Sequence, residues 1–231
     1  MTLSLADAAR ERAQHIRARA DRPSQRRCAS APGSGARAIV RASIQLREDA
    51  PPAGEDGQVA ESAPAMLRFS GIASAYEASY EMWDAFGPYT EVVSAGAGAV
   101  SMARSDLDVP FVLGHDQLRR IARTTTGTLR LSETEDGLVV DADLDPRDAD
   151  VAYIAPKLRA GLIDEMSFAF RITSGQWSPD YSEYRINAFD IHRGDVAIVG
   201  YGANPATSAG VRSQRNGNAR ARALLALAIA R

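Results

Sequence analysis

An alternating run that turns back on itself, between Thr128 and Leu144, constrains this chain more than any other feature of its 231 residues. Thr128-Leu129-Arg130-Leu131-Ser132 and Leu138-Val139-Val140-Asp141-Ala142-Asp143-Leu144 place apolar side chains at close to every second position, the period of a half-buried strand. Glu135-Asp136-Gly137 between them supplies turn chemistry, so the pair is predicted to form a β-hairpin. A hairpin with one apolar face must bury that face, and the rest of the chain offers more strands to do it. Ala38–Leu46, Met66–Ala73, Ser167–Thr173, Glu183–Phe189 and Asp195–Tyr201 are each predicted as strands, with a polar turn at Ser178-Pro179-Asp180. The aromatic stretch holding Tyr76, Tyr80, Trp83, Phe86 and Tyr89 reads as a long loop.

Helices are fewer. Leu3, Leu5, Ala9, Ala13, Ile16 and Ala20 recur at mostly helical spacing among arginines, which predicts a thin amphipathic helix within Thr2–Arg22. Asp148 or Asp150 can cap a helix that turns Val151, Ile154, Ala155 and Leu158 to one side and stops at Gly161. Pro156 either kinks that helix or sits in the first turn of a shorter one. The expected fold class is therefore mainly β with flanking helices (α+β), a barrel or a sandwich of short antiparallel strands.

With 45% hydrophobic residues the chain can bury one good core and leave tails over. The expected division is a basic N-terminal helix and linker at 1–37, a domain at 38–211 and a basic tail at 212–231. Residues 1–37 hold eight arginines against three acids, and 212–231 hold five arginines and no acid. The net charge of −2 therefore hides an acidic body between two basic arms, which argues against a body that grips nucleic acid. Pro23–Gly35 and residues 49–57 have the composition of flexible joints. A single cysteine, Cys28, cannot form an internal disulfide, and no secretory leader is apparent, so an intracellular protein is expected. The apolar stretch Ala223–Ala230 has under half of the roughly 20 residues of a membrane span, so no transmembrane helix is expected.

The sequence lacks a Gly-x-Ser-x-Gly elbow, a His-Glu-x-x-His motif, a phosphate-binding loop and a Gly-x-Gly-x-x-Gly turn, so neither a metal nor a cofactor is expected. Two residues stand out instead. His115, one of three histidines, follows the apolar run Phe111-Val112-Leu113, where a strand would end and present an imidazole on a loop. Ser167 opens an alternating strand after the Gly161 stop. A hydroxyl attacks poorly at neutral pH unless an imidazole takes its proton, so the two suggest a nucleophile and its base.

Leu113-Gly114-His115-Asp116, Gly127-Thr128-Leu129, Asp136-Gly137-Leu138, the run from Gly161 to Phe170 through Met166-Ser167-Phe168, and Asp195-Val196-Ala197-Ile198-Val199 before Ala203-Asn204-Pro205-Ala206 follow in one order. This series resembles the prohead proteases of tailed bacteriophages, serine proteases of capsid maturation whose fold is similar to that of the herpesvirus assembly protease. The likeness covers about Leu67 to Val211. It implies a herpesvirus-protease-like antiparallel β-barrel, with His115 as general base and Ser167 as nucleophile. The family's third member is an acid near the strand before the Asn-Pro turn. Asp195 matches it best, with Asp190 and, on the herpesvirus pattern, His192 close enough to compete. Oxyanion donors near Arg193-Gly194 are an extension of the same likeness. Where the family often has Val-Ser the chain has Val196-Ala197, and Ala197 is expected to face the core with little effect.

The resemblance further implies a serine endopeptidase that cleaves scaffold segments, the N-terminal arm of the major capsid protein and its own chain. It would work inside the procapsid in the host cytoplasm, encoded by the phage or by an integrated prophage. Partners would be the major capsid protein, scaffold segments and the chain itself, with no membrane and no specific nucleic acid, and with a homo-oligomer left open. A reading from another class keeps the same barrel as a catalytically silent scaffold or head-interaction protein, its basic ends docking on acidic capsid surfaces.

Overall fold

The computed structural model describes residues 4–16, 26–27, 47–48 and 66–201. In chain order they form α1 (Leu5–Ile16), β1 (Arg26–Arg27), β2 (Arg47–Glu48), β3 (Leu67–Ala75), β4 (Tyr80–Asp84), β5 (Gly87–Val93), α2 (Ala99–Met102), β6 (Pro110–Leu113), β7 (Arg120–Arg123), β8 (Leu129–Glu133), β9 (Gly137–Leu144), α3 (Ala149–Arg159), β10 (Glu165–Trp177) and β11 (Glu183–Val199). The α+β class, mostly strand with a few helices, is thus as expected. The strand expected at Ala38–Leu46, the joint at 49–57, Asn204-Pro205 and the tail from 212 lie outside the described residues.

The strands form two sheets. One runs β1-β10-β11-β5-β4, with β6 also beside β11 and β7 beside β6; the other runs β2-β3-β9-β8. No ring of pairings closes among the described residues. The hairpin predicted from Thr128–Leu144 is β8 and β9, with Glu133 opposite Leu138. Its apolar face, Leu138, Val140, Ala142 and Leu144, is buried. Aromatic rings fill the space between the sheets. Phe69 of β3 meets Phe111 of β6 edge-on with centroids 4.7 Å apart, and Phe168 and Phe170 of β10 stack at 4.1 Å and both meet Phe189 of β11. Each such ring contributes about 1.5–3 kcal/mol through the apolar surface it removes from water.

Three local features differ from the sequence expectation or refine it. The aromatic loop is a hairpin: Asp84 lies opposite Gly87, the Phe86 N–H donates to the Asp84 carboxylate at 2.9 Å, and Gly87 takes a φ of 124°. That short, side-chain-assisted turn hides between two runs whose alternation is broken by buried Glu91. Next, Glu183–Phe189 and the strand beginning at Asp195 are one long strand, β11, kept continuous by a bulge. Two of its pairings are parallel, with β5 at its start and β6 near its end, because a 17-residue strand has room for two partners on one edge. Finally, α3 continues through Pro156, with Asp148 accepting from the Asp150 and Val151 N–H groups. Pro156 and the Ala152 carbonyl it cannot bond lie on the exposed side, where water can serve.

The expected N-terminal helix forms over Leu5–Ile16 and is held by a buried arginine. Arg12 donates from Nε and Nη2 to both Asp84 oxygens at 2.7 and 2.8 Å, and to the carbonyls of Tyr181, Gly87 and Pro88. The rings of Tyr89 and Trp177 lie 5.2 and 4.9 Å from its guanidinium carbon.

Candidate active site

β10 alternates sharply. Met166, Phe168 and Phe170 point into the main core, as do Val196 and Ile198 of β11 and Phe111 and Leu113 of β6. By the period of two, Ser167 and Ala169 face the other way. Ser167 pairs with Ala197, Ala169 with Asp195, and Ala197 with Val112, so Ser167, Asp195 and Ala197 share one face of the sheet. Val112, Ala197 and Val199 form a small apolar cluster of their own on that face. Ala197 is therefore buried, as expected, in this second apolar cluster and beside Ser167.

His115 reaches this face from the turn after β6. Gly114 N–H donates to the Ile198 carbonyl at 2.8 Å, fixing the turn beside β11. Gly114 and His115 both have positive φ, 60° and 61°, and the Asp116 N–H closes on the Leu113 carbonyl at 3.1 Å. A left-handed backbone is uncommon for a residue with a side chain, and here it reverses the chain so that the imidazole folds back along β11. Its Nδ1 lies 2.6 Å from Asp195 Oδ1. The loop is tied to β11 at Ile198 and the imidazole meets Asp195, which lies on the sheet face shared by Ala197 and Ser167. Both side chains of the pair are nearly inaccessible, at 7% for His115 and 2% for Asp195.

An ionised carboxylate only accepts, so the proton of this bond belongs to His115 Nδ1, and the neutral ring carries its lone pair on Nε2. Nε2 is buried and has no hydrogen-bond partner among the described residues. Ser167, 6% exposed, makes no hydrogen bond to it. The arrangement thus holds an oriented base with an open acceptor on the face that carries a serine hydroxyl.

The other candidates for third member are engaged elsewhere. Asp190 accepts from the Ser101 hydroxyl at 2.8 Å, the His192 N–H at 3.0 Å and Arg171 at 2.7 Å. Burial pushes its carboxyl up, but the His192 N–H, Ser101 and Arg171 outweigh that and hold it below the ordinary value. His192 Nδ1 accepts the Asp108 N–H at 3.2 Å, so its proton sits on Nε2. Neither hydrogen-bonds to His115. The Arg193 N–H, expected near an oxyanion site, is committed to the Asp108 carbonyl at 2.9 Å.

These same bonds build the bulge that aims Asp195. Between the pairs Ala169–Asp195 and Arg171–Asp190 the register slips, and β11 uses the extra residues Ile191 to Gly194 to make the turn, with Arg193 at a φ of 57°. Asp108 anchors it from the front of β6, its carboxyl held below the usual range by the Arg123 guanidinium. Arg119, at the far end of the His115 loop, donates twice to Asp150 of α3 at 3.0 and 2.5 Å.

Sequence reasoning missed one residue of the site. Gln117 Nε2 lies 2.5 Å from the second Asp195 oxygen, Oδ2. An amide two residues after an expected base is a clue only once the loop is known to turn back. No group of three His, Cys, Asp or Glu side chains is placed to hold a metal among the described residues, and no described helix is long and apolar enough to cross a membrane.

The structure thus brings a buried imidazole and its carboxylate partner to the sheet whose β10 carries Ser167. A family model of the caudovirus prohead serine proteases matches residues 59–221. The chain belongs to that family, serine peptidases of bacteriophage capsid maturation. No curated protein and no solved structure matches it.

Proposed function

We propose that this chain is a serine endopeptidase of procapsid maturation in which Ser167 is the nucleophile, His115 the general base and Asp195 the residue that orients it. The observation that carries this reading is the 2.6 Å bond from His115 Nδ1 to Asp195, which leaves Nε2 open on the face of Ser167. Ser167 Oγ attacks the peptide carbonyl carbon while Nε2 takes the hydroxyl proton. The C–N bond then breaks as His115 returns that proton to the leaving amine. Water repeats the sequence on the acyl-enzyme: Nε2 takes a proton from water, the new C–O bond forms, and Ser167 recovers its proton as the ester C–O bond breaks. Asp195 keeps the tautomer and stabilises the imidazolium in both halves.

The substrates in this reading are scaffold segments, the N-terminal arm of the major capsid protein and the chain's own ends, reached inside the procapsid. The two sheets would be the halves of a herpesvirus-protease-like barrel. Their close approach supports it: a Cβ on Gly71 of β3 would lie 2.6 Å from the Met166 sulfur of β10. Co-expression with the cognate capsid protein tests the function. Wild type should trim the capsid protein, and Ser167→Ala and His115→Ala should leave it full length. Equal trimming by all three refutes the assignment and leaves the scaffold reading standing. Mass spectrometry of the purified protein's termini tests self-cleavage; wild type as long as Ser167→Ala would exclude it.

A further inference from the structure

We propose that Gln117 is a positioning residue for the site, locking the Asp195 carboxylate in the rotamer that orients His115. The inference rests on the proposed roles of Ser167, His115 and Asp195. Asp195 is 1% exposed, so water has little access to its carboxylate and the protein must supply donors. Its two oxygens are divided: Oδ1 takes the imidazole at 2.6 Å and Oδ2 takes the Gln117 amide at 2.5 Å. A carboxylate held at one oxygen can still turn about its Cβ–Cγ bond, while one held at both cannot, and the ring follows whatever plane the carboxylate takes.

The backbone makes this possible within one short loop. The Gln117 carbonyl accepts from Arg120 Nε at 2.7 Å, and the Leu118 N–H donates to the Asp116 side chain at 2.9 Å, so Gln117 is itself fixed. One turn therefore delivers both the base and the amide that steadies the base's partner. Gln117 is only half-buried, which makes substitution there tolerable to the fold. The charged group that meets the imidazole is Asp195 on β11, while the loop that carries His115 also holds Asp116 and is tied to α3 by the Arg119–Asp150 pair.

Two near-isosteric substitutions separate positioning from support. Gln117→Met removes the donor and keeps the bulk. With a peptide spanning the bond cut in the cognate capsid protein, kcat should fall about ten- to a hundredfold while KM stays within about twofold. Gln117→Glu puts a second carboxyl against Asp195. In a Ser167→Ala background, NMR titration of the His115 ring should then show its midpoint displaced from that of Ser167→Ala alone, because the new carboxyl either adds negative charge beside the imidazolium or shares a proton with Asp195. That second readout needs no activity, so it stands even if the assignment of Ser167 fails. Wild-type kcat in Gln117→Met together with an unmoved His115 midpoint in Gln117→Glu would overturn the proposal. If Ser167→Ala abolishes cleavage at the same time, the nucleophile assignment survives that failure.

Discussion

Replacing Gly194 with alanine probes how closely activity depends on the bulge before Asp195. A Cβ on Gly194 would lie 1.8 Å from the Ala169 carbonyl oxygen, 2.9 Å from its carbon and 3.0 Å from the Ile191 carbonyl oxygen. Real Cβ atoms essentially never come closer than 3.0 Å, so β10 and β11 would have to part locally by about 1.2 Å. Every atom in the way is backbone, and no rotamer change relieves the contact. Ala169 is the cross-strand partner of Asp195 and stands two residues from Ser167, so the displacement falls between the proposed acid and the nucleophile's strand. A misplacement of this size costs about a hundredfold in kcat. Overpacking of this kind destabilises by about 1–3 kcal/mol, and a backbone clash belongs at the upper end. For a chain of this length that corresponds to a Tm lower by about 6–12 °C. Gly200 is the control, since a Cβ there meets nothing within 4 Å, and Gly200→Ala should stay within about 0.5 kcal/mol of wild type. Peptide cleavage and thermal denaturation measured on the same preparations decide the matter. A Gly194→Ala protein with wild-type kcat and Tm would refute the claim that the bulge sets the geometry of Asp195.

Arg12→Met should destabilise by about 3 kcal/mol in urea unfolding, the lower end for breaking a buried ion pair because Asp84 keeps 20% exposure. Adding Asp84→Asn should recover about 1 kcal/mol or more, and a double variant no more stable than Arg12→Met would refute that account. Asp190→Asn should cost about 1–2 kcal/mol at pH 7 through its lost charged hydrogen bonds. Because the folded carboxyl sits below its unfolded value of about 3.9, its stabilisation is present above that pH and lost as pH falls through the folded value. Wild type and variant should therefore converge in acid-denaturation curves as the pH falls through the folded carboxyl's lowered value, and a constant gap would count against it. Ala197→Leu should lower kcat about a hundredfold by crowding Ser167, its cross-strand partner, while Ala197→Ser stays within a few fold. Equal losses of activity in both would sink the placement of Ala197 beside the site.

How much of this was legible in the sequence follows from the range over which each cause acts. The β8–β9 hairpin, the helix capped by Asp148 and the strand around Ser167 are written in local alternation and local caps, and all three appear where expected. The β4–β5 hairpin was not, because its turn depends on one Asp84 carboxylate and its inner face includes charged Glu91, buried with the Tyr80 hydroxyl 2.5 Å from its carboxylate. Gln117 was invisible for a different reason. Its partner is 78 positions away, and no periodicity connects an amide to a carboxylate across that distance.

The orientation of Ser167, by contrast, is a consequence of the core rather than of the site. Met166, Phe168 and Phe170 must all enter the apolar interior, and a strand's period of two then leaves Ser167 no face but the opposite one. Slipping β10 by one residue would bury the hydroxyl among the phenylalanines and drive three large apolar side chains out of the main core onto the face where only Ser167 and Ala169 fit. With about 1.5–3 kcal/mol at stake for each, hydrophobic packing holds the serine in place far more firmly than any hydrogen bond at the site could. Asp195 and His115 have no such backing, since each owes its position to a kink, the Ile191–Gly194 bulge and the Gly114–His115 turn. The serine should therefore tolerate changes around it, while the base and its acid depend on a few backbone hydrogen bonds. Apart from Ser167 itself, substitutions that abolish activity without unfolding the chain should accordingly cluster at residues 108, 114–117 and 191–195 rather than along β10.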